Sequence, residues 1–259
     1  MRVALTIAGS DPSGGAGIQA DLKTFHQFGV YGEAVITLLT VQNTLRGGRV
    51  KVLSVELVAE QLEAVLEDIP PDAAKTGALG SAVVVSAVAR KMGSSKIPLV
   101  VDPVLAGKQG QALLDASALR ALREDLIPRA ALITPNVPEA EVLSDIAVRG
   151  PDDLRRAAER ICAQGAAAVL LKGGHTKGPA TDLLLTAQGW SEFPAPRIET
   201  RHTHGTGCTY SAAITANIAL GLTLPDAVAK AKRFIHAAIV SAPGLGRGCG
   251  PVNHHADPH

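Results

Sequence analysis

Short apolar runs alternate with helix-like segments along the whole chain. The runs are rich in Val, Ile, Leu and Ala, and the strands that they predict lie at residues 3–8, 35–41, 73–77, 99–102, 132–136 and 167–172. The helices that the other segments predict lie at residues 18–28, 58–68, 81–92, 138–143, 151–164, 210–221 and 225–241. Strands that are apolar on both faces are typical of a parallel sheet covered by helices on both sides. The alternation therefore predicts an α/β fold with a central, mostly parallel sheet.

One further pair of strands is expected at an edge of this sheet. Residues 183–185 and 198–200 flank the turn at Gln188-Gly189 and predict a small antiparallel edge. The chain shows no break in composition, no low-complexity linker and no internal repeat. We therefore expect a single domain over residues 1–259, because domain boundaries usually fall in such linkers.

Charge and composition exclude several classes of partner. The 25 Lys and Arg residues nearly balance the 24 Asp and Glu residues, and aromatic residues make up 3% of the chain. No nucleic-acid partner is expected, because such proteins carry basic patches and base-stacking aromatic residues. No apolar run approaches the ~18 residues that span a bilayer. The apolar stretch at the N-terminus is too short for a signal peptide. The few, widely spaced cysteines indicate no disulfide framework. We expect a cytoplasmic protein with no membrane partner.

Residues 203–208, which we call the second glycine loop, precede an apolar helix-like segment. Within it, Gly205 and Gly207 flank Thr206. Backbone N–H groups at a helix N-terminus, together with the positive end of the helix dipole, bind anions such as phosphate. Glycine lets a phosphate approach the main chain because it has no Cβ. The loop, with Cys208, predicts an anion site, although an ordinary glycine-rich helix start is the alternative for these residues alone.

Polar residues follow several of the predicted strands. Asp102, Asn136 and Lys172 each stand where a strand is expected to end. The carboxyl ends of parallel strands meet at one edge of the sheet, where open α/β sheets bind ligands. Asn136 and Glu139, spaced i, i+3 at a helix start, face the same way and are candidates to organise Mg²⁺. The alternative makes Glu139 a favourable charge at the helix N-terminus.

Residues 9–17 form a first glycine loop after the first predicted strand. Its spacing matches neither a Walker A loop nor a dinucleotide-binding fingerprint. A substrate loop is the better interpretation, with Asp11 and Asp21 as candidates to hydrogen-bond a small polar ligand. For Asp21 the alternative is a solvated helix carboxylate.

Seven segments of the chain resemble the hydroxymethylpyrimidine/phosphomethylpyrimidine kinases of thiamine biosynthesis. In the family's order, they are residues 4–25, 41–44, 75–77, 102–104, 134–139, 172–175 and 203–211. The resemblance implies a ribokinase-like fold and ATP-dependent phosphorylation of 4-amino-5-hydroxymethyl-2-methylpyrimidine, and then of its monophosphate to the diphosphate. It also implies ATP and Mg²⁺ as cofactors and a homodimer.

The resemblance, taken together with the chemistry of the residues, predicts a role for individual positions. Catalytic positions are Lys172, Gly205, Thr206, Gly207 and Cys208. Substrate-binding positions are Gly9, Asp21, Gln42, Ala78 and Val104. Nucleotide-binding positions are Asn136, Lys172, Thr203, Gly205 and Gly207, and metal-binding positions are Asp102 and Glu139.

Cys208 stands where the wider superfamily usually has an aspartate that acts as a base. A free thiol has a pKa of ~8.5, and a helix N-terminus lowers it. We therefore expect Cys208 Sγ to lie beside the acceptor hydroxyl and to take its proton, and simple packing of a buried cysteine is the alternative. A loose phosphoryl-transfer transition state demands little deprotonation.

Two other functions compete with the pyrimidine kinase. A pyridoxal or pyridoxine kinase of the same branch is one, because Ala78 replaces a common family methionine and residues 105–108 depart from the family pattern. A catalytically silent sensor of nucleotides or pyrimidines is the other.

The histidines and the third cysteine receive no role in this prediction. His202 and His204 lie near Cys208 in sequence, but no second ligand pair accompanies them, so a zinc site is not expected. His254, His255 and His259 are expected to form a mobile polar tail. Cys249 is assigned no function.

Overall fold

The computed structural model describes residues 1–107, 110, 113–173 and 178–258. Its strands are β1 (Val3–Ser10), β2 (Tyr31–Thr40), β3 (Val50–Val52), β4 (Ala73–Thr76), β5 (Leu99–Val101), β6 (Leu132–Ile133), β7 (Val169–Leu171), β8 (Asp182–Thr186) and β9 (Gly189–Phe193). Its α-helices are α1 (Gly17–Gln27), α2 (Val55–Asp68), α3 (Ala82–Gly93), α4 (Ala116–Ala121), α5 (Val137–Ser144), α6 (Pro151–Cys162), α7 (Thr206–Ala219) and α8 (Leu224–Val240). A π turn at Leu122–Leu126 and a 3₁₀ turn at Ile127–Arg129 follow α4.

The strands form one sheet in the order β3-β2-β1-β4-β5-β6-β7-β8-β9. Neighbours from β2 through β7 are parallel, whereas β3, β8 and β9 add antiparallel pairs at the two edges. The expected α/β class, with a mostly parallel sheet and a small antiparallel edge, is confirmed.

The antiparallel edge differs from the prediction in one strand. The partner of β8 is β9 at Gly189–Phe193, and residues 198–200 form no strand. Thr186 pairs with Gly189, so the chain reverses within a two-residue turn and pairs at once. Trp190 and Phe193 suit this strand because aromatic residues favour a pleated, half-buried surface. The short β3 and α4 were not predicted, since three and six residues carry too little periodicity.

Two apolar layers cover the sheet, one on each face. On β1, Leu5 and Ile7 point into the layer beneath α2, α3 and α6, while Ala4 points into the layer beneath α7 and α8. Successive side chains alternate between faces, so both faces of the central strands are buried. α7 is the most deeply placed helix, and it packs against β1, β4 and β5. Its first turn therefore lies at the carboxyl edge of the sheet.

Local capping explains how the chain turns at this edge after β6. The Asn136 side chain accepts a hydrogen bond from the Glu139 N–H at 2.9 Å, and Glu139 Oε2 accepts one from the Asn136 N–H at 2.8 Å. This reciprocal capping box starts α5, and Pro138 stands in its first turn. Asn136 also forms a parallel β-bridge with Lys172, which brings the ends of β6 and β7 together.

Candidate functional site

A cavity of about 640 Å³ opens at the carboxyl edge of the sheet. It brings together all but one of the residues that the sequence predicts for the site. The predicted residues that line it are Gly9, Asp11, Gln42, Ala78, Asp102, Val104, Asn136, Glu139, Lys172, Thr203, Gly205, Thr206, Gly207 and Cys208. Gly174 and His175 of one family-like segment, Lys108 of the residues that depart from the family pattern, and His259 lie outside the described residues.

The second glycine loop leads directly into α7. Gly205 precedes the helix with φ +76°, and a Cβ on it would lie 1.7 Å from the Gly15 carbonyl oxygen. Only glycine is tolerated there, for both backbone and steric reasons. α7 then begins at Thr206, and its first turn contains no acidic residue. Its first N–H groups have no intrahelical carbonyl to bind, so they present a partial positive charge to the cavity.

Lys172 stands beside this loop in a cluster with two carboxylates. Its Nζ lies 2.9 Å from Asp102 Oδ1 and 3.9 Å from Glu139 Oε2. A Cβ on Gly207 would lie 3.5 Å from the same Nζ, so the ammonium group sits directly under the second glycine loop. Burial by itself lowers the pKa of Lys172. The charges of Asp102 and Glu139 raise it by a larger amount, so the net pKa is about 12. The lysine is a permanent cation at neutral pH.

The two carboxylates of the cluster differ in their protonation. Burial raises the pKa of Asp102, but the ammonium groups of Lys172 and Lys75 and the hydrogen bonds that the carboxylate accepts together outweigh burial and hold that pKa below its usual range. Thr134 Oγ1 and Ser211 Oγ also donate to this carboxylate, at 3.1 and 3.3 Å. Burial dominates at Glu139 and raises its pKa to about 7. The site thus holds one firm cation, one firm anion and one carboxyl group that ionises near neutral pH.

Asp21 is the predicted site residue that does not line the cavity. It is fully buried, and its Oδ2 accepts hydrogen bonds from Thr6 Oγ1 at 2.6 Å and Lys75 Nζ at 2.8 Å. Thr6 and Lys75 are paired on the adjacent strands β1 and β4, and Asp21 lies on the face of α1 that covers them. The alternative of a solvated carboxylate is therefore wrong, and contact of Asp21 with a small ligand stays a prediction that its place outside the cavity lining does not support.

Cys208 lines the cavity as expected, but its acidity is opposite to the expectation. Burial raises the pKa of the thiol to about 12, and the nearby Asp21 carboxylate adds to this rise. Lys75 and a hydrogen bond from the Gly17 N–H oppose the rise without cancelling it. The helix N-terminus does not lower this pKa below its usual range, so the prediction of an acidified thiol is wrong. At neutral pH the sulfur is a protonated thiol.

Comparison with known proteins identifies the family. The sequence profile described as phosphomethylpyrimidine kinase matches residues 11–253. The hydroxymethylpyrimidine/phosphomethylpyrimidine kinase of Bacillus subtilis (strain 168) is 46% identical over 258 residues, which cover 98% of this chain and 94% of that protein. The chain belongs to the phosphomethylpyrimidine kinase family.

Solved structures confirm the fold that the family resemblance implies. The phosphomethylpyrimidine kinase of Clostridium difficile 630 matches with a TM-score of 0.83 and 42% identity, over 92% of this chain and 100% of that one. An ADP complex of Bacillus subtilis pyridoxal kinase matches with a TM-score of 0.91 and 37% identity, over 99% of this chain and 98% of that one. This phosphomethylpyrimidine kinase family member therefore has the expected ribokinase-like fold.

Three groups of buried polar residues escaped the sequence analysis of this family member. Lys75 is one, because nothing in the sequence marks a lysine as fully buried. Asp182 is the second, and it accepts hydrogen bonds from Tyr210 Oη at 2.9 Å and Lys232 Nζ at 2.7 Å at the cavity wall. The third is His204, which lines the cavity and contacts Asp11.

The tail of the chain also differs from the prediction. His254, expected to be mobile, is buried, and its Nε2 lies 3.1 Å from Thr209 Oγ1 in α7. Burial lowers the pKa of His254 to about 4, so it is neutral at physiological pH. The segment is anchored because α7 and the tail share an apolar layer, which includes Val252 and Ala256.

The donor set of the cavity fits Mg²⁺ that arrives with a nucleotide. No group of three His, Cys, Asp or Glu side chains within the described part of the chain is arranged to hold a metal ion. Mg²⁺ usually binds through one or two carboxylates plus substrate phosphates and water. Asp102 and Glu139 supply two such carboxylates beside the second glycine loop.

The helices within the described part of the chain were also compared with the length and hydropathy of a membrane span, and none of them meets both requirements.

Proposed function

We propose that this protein transfers the γ-phosphoryl group of ATP to the hydroxymethyl group of 4-amino-5-hydroxymethyl-2-methylpyrimidine, and then phosphorylates the monophosphate to the diphosphate for thiamine synthesis. The observation that carries the proposal is the position of Lys172 under the first turn of α7, within one cavity. The family relationship to a kinase named for both pyrimidine substrates supports the two steps.

The charge distribution of the cavity suits phosphoryl transfer. This reaction requires alignment of donor and acceptor and neutralisation of charge on the transferred group. The N–H groups of Gly205, Gly207 and Cys208 provide fixed donors for the γ-phosphate oxygens, and Lys172 provides a cation next to them. The Thr206 N–H donates to the Thr203 carbonyl at 3.3 Å. Both are held before the substrate arrives, so little reorganisation is needed. Thr203 and Asn136, at the same wall, complete the proposed nucleotide side.

The proposed pyrimidine side lies toward the first glycine loop. Gly9, Gln42, Ala78 and Val104 line the cavity and are proposed to form this side. The Gln42 side-chain amide both donates and accepts, so it is able to pair with an aminopyrimidine through two hydrogen bonds. A Cβ on Gly9 would lie 2.5 Å from Leu38 Cδ1, so glycine at this position lets the wall close against Leu38.

Mg²⁺ is proposed to accompany ATP, with Asp102 and Glu139 facing it directly or through water. Bound there, the ion would neutralise negative charge on the phosphate groups of ATP. Lys172 holds Asp102 in its ionised form, which is the form that a cation requires.

Cys208 is proposed to contact the acceptor hydroxyl and to take its proton. Because burial raises its pKa to about 12, the thiolate is a minor species at neutral pH. A protonated thiol cannot accept a proton, so the base role requires this minor thiolate form, which becomes the thiol as it takes the hydroxyl proton. A loose transition state demands little deprotonation before phosphoryl transfer. If the base role holds, Cys208→Ala and Cys208→Ser both lose kcat, by roughly the 10²–10⁴-fold that a general base contributes. Near-normal kcat in both variants would remove that role and leave the backbone anion site intact.

A pyridoxal kinase is the second candidate function. It is favoured by the TM-score of 0.91 to Bacillus subtilis pyridoxal kinase, against 0.83 to the Clostridium difficile phosphomethylpyrimidine kinase. The pyrimidine is preferred because identity is higher to the pyrimidine kinases, at 46% and 42%, than to the pyridoxal kinase, at 37%.

Parallel assays of the purified protein separate these functions. ADP release and ³¹P NMR of the product would be followed with ATP, Mg²⁺ and the pyrimidine alcohol, its monophosphate or pyridoxal. We expect turnover of both pyrimidines, with a lower kcat/KM for pyridoxal. Untouched ATP with every acceptor would favour a silent nucleotide or pyrimidine sensor and end the kinase proposal.

We also propose that the protein is a homodimer and lies in the cytoplasm. Light scattering would test the homodimer, and fractionation of cells would test the cytoplasmic location.

A further inference from the structure

The first glycine loop, residues 9–17, is organised around one buried carboxylate. Asp11 is 1% exposed. Its Oδ1 accepts hydrogen bonds from the Ser13 N–H at 2.9 Å and Ser13 Oγ at 2.8 Å, and its Oδ2 accepts one from the Ala16 N–H at 2.9 Å. Burial raises the pKa of Asp11, but its hydrogen bonds with His204 and Ser13 outweigh that effect and hold it at about 2. The loop therefore closes around a permanent anion.

The remaining strong contact of this carboxylate crosses to the second glycine loop. His204 Nε2 lies 2.7 Å from Asp11 Oδ2, and since an ionised carboxylate only accepts, the imidazole donates. His204 itself is fixed by the tail of the chain. Its N–H donates to the Gly250 carbonyl at 3.0 Å, and its own carbonyl accepts from the Val252 N–H at 3.3 Å.

The two loops also touch through glycines on either side of this contact. A Cβ on Gly15 would lie 2.6 Å from His204 Cδ2, so the imidazole ring packs flush against the first loop. A Cβ on Gly205 would lie 1.7 Å from the Gly15 carbonyl oxygen. The spacing between the loops is therefore set by backbone contact, and the Asp11–His204 hydrogen bond fixes their lateral register. Both loops line the same cavity.

We propose that His204 is a positioning residue for phosphoryl transfer, which holds the second glycine loop in register with the first through its hydrogen bond to Asp11. The inference rests on the proposed function, in which the second loop grips the γ-phosphate and the first loop borders the acceptor alcohol. Donor and acceptor are then aligned by a bridge between the two loops, both of which line the cavity.

The alignment of donor and acceptor has a measurable effect on the rate of phosphoryl transfer. Misplacing reacting groups by about 1 Å is able to cost roughly 10²-fold in rate. Loss of the bridge shifts the second glycine loop relative to the first but leaves its amides beside Lys172, so nucleotide affinity is largely retained. The loss therefore falls on kcat and not on KM or on the affinity for ADP. A purely structural role would instead lower the amount of folded protein and leave the kinetics of the folded fraction unchanged.

The test compares His204→Leu, His204→Gln and Asp11→Asn with His255→Leu, a control at an exposed histidine of the tail. Thermal unfolding establishes that each variant is folded, and steady-state kinetics with ATP and the pyrimidine alcohol give kcat and KM. Calorimetry with ADP alone gives nucleotide affinity. We expect kcat of His204→Leu to fall by about 10- to 100-fold with KM and ADP affinity within about threefold. His204→Gln, whose amide nitrogen replaces Nε2 as donor, should recover most of the loss, and His255→Leu should match wild type.

The inference is overturned if folded His204→Leu keeps wild-type kcat, if only KM or ADP affinity changes, or if His204→Gln is no better than His204→Leu. Should His204→Leu not fold, Asp11→Asn makes the same comparison from the other side of the hydrogen bond. Hydrogen exchange of residues 11–17 provides a readout that needs no turnover, since His204→Leu should expose these amides and His255→Leu should not. Unchanged exchange rejects the bridge, whereas absent turnover in wild type with increased exchange rejects the proposed function alone.

Discussion

Two buried lysines lie at the carboxyl edge of the sheet, and their surroundings give them opposite uses. The Lys75 side chain is fully enclosed and pairs with Asp21 at 2.8 Å. The Lys172 side chain is 14% exposed, pairs with Asp102 at 2.9 Å and faces the cavity. The chemistry of the two pairs is the same, and the difference is access. An enclosed pair holds the fold together, whereas an open pair is available to a phosphate.

Electrostatics supports this division. Burial lowers the pKa of Lys75. Asp21 and the neighbouring Cys208 and Asp102 together raise it by a larger amount, so its net pKa lies above the usual value. Lys75 therefore stays charged beneath the floor of the site, where a Cβ on Gly77 would lie 3.7 Å from its Nζ. Its charge contributes to the field around Cys208 without contact with solvent. Lys172 adds a second cation that a ligand is able to reach.

The largest expected effect comes from breaking the enclosed pair. Lys75→Met leaves the Asp21 carboxylate buried without its cation, and its Oδ1 already has no hydrogen-bond partner among the described residues. Such a loss costs about 3–5 kcal/mol in the free energy of unfolding, which urea denaturation measures. The double variant Lys75→Met/Asp21→Leu should recover much of this loss, because apolar replacement of both partners is often close to neutral. A single variant as stable as wild type would show that the pair is not a structural element.

Breaking the open pair should reduce catalysis more than folding. Lys172→Met removes a fixed cation beside the second glycine loop, and loss of one such group costs about 10²–10³-fold in kcat. The free energy of unfolding should fall by less than in Lys75→Met, because the cavity borders this pair and water is able to occupy the place that the ammonium group leaves. Kinetics with the pyrimidine alcohol and urea denaturation would be measured on the same preparation. Lys91→Met, at an exposed lysine, is the matched control. Retained kcat together with a stability loss as large as that of Lys75→Met would erase the distinction.

A third buried carboxyl group shows what happens without a lysine. Glu33 on β2 is 9% exposed, and its Oε2 has no hydrogen-bond partner among the described residues. Burial, with a smaller contribution from Asp68, raises its pKa to about 7 from 4.5. Between these values the folded protein keeps a proton that the unfolded chain releases, so stability falls as pH rises through this window.

Glu33→Gln should remove that decline because an amide does not ionise. We expect the melting temperature of the variant to exceed that of wild type at pH 8 by about 2–4 °C, which corresponds to roughly 1 kcal/mol, and the advantage to vanish at pH 4. Scanning calorimetry across this range measures both curves. An equal advantage at both pH values would show that the carboxyl group does not titrate as its burial indicates.

The sequence predicted the open pair far better than the enclosed one. Lys172 and Asp102 follow apolar strands, and topology alone places such residues together at the ligand-binding edge. Gly205 was recognisable because glycine alone is compatible with its turn into α7. Asp21 and Lys75 were not recognisable as a buried pair. Burial of a polar side chain depends on the register between β1, β4 and α1, which local patterns do not encode. The acidity of Cys208 was mispredicted for the same reason, since burial outweighs the helix dipole.

The Asp11–His204 contact shows a further limit. The two residues are 193 positions apart, and neither has a neighbour in sequence that indicates the other. The sequence did identify both glycine loops, because the glycines mark places where backbones approach closely. It did not indicate that the loops approach each other. Contacts between distant loops follow from the completed sheet and from α7, so they become visible only in the folded structure.

The smallest expected effect completes the comparison with a lysine that is not buried. Lys91 Nζ lies 2.9 Å from Glu63 Oε1, but the two side chains are 37% and 53% exposed. Water and salt screen such a pair, and exposed pairs contribute about 0–1 kcal/mol. A double-mutant cycle of Lys91→Met and Glu63→Gln should give a coupling free energy within that range, and it should shrink further in high salt. A coupling as large as that of Lys75 and Asp21 would mean that distance between charges, and not enclosure, decides their worth, since both pairs lie within 0.1 Å of the same separation, at 2.9 and 2.8 Å.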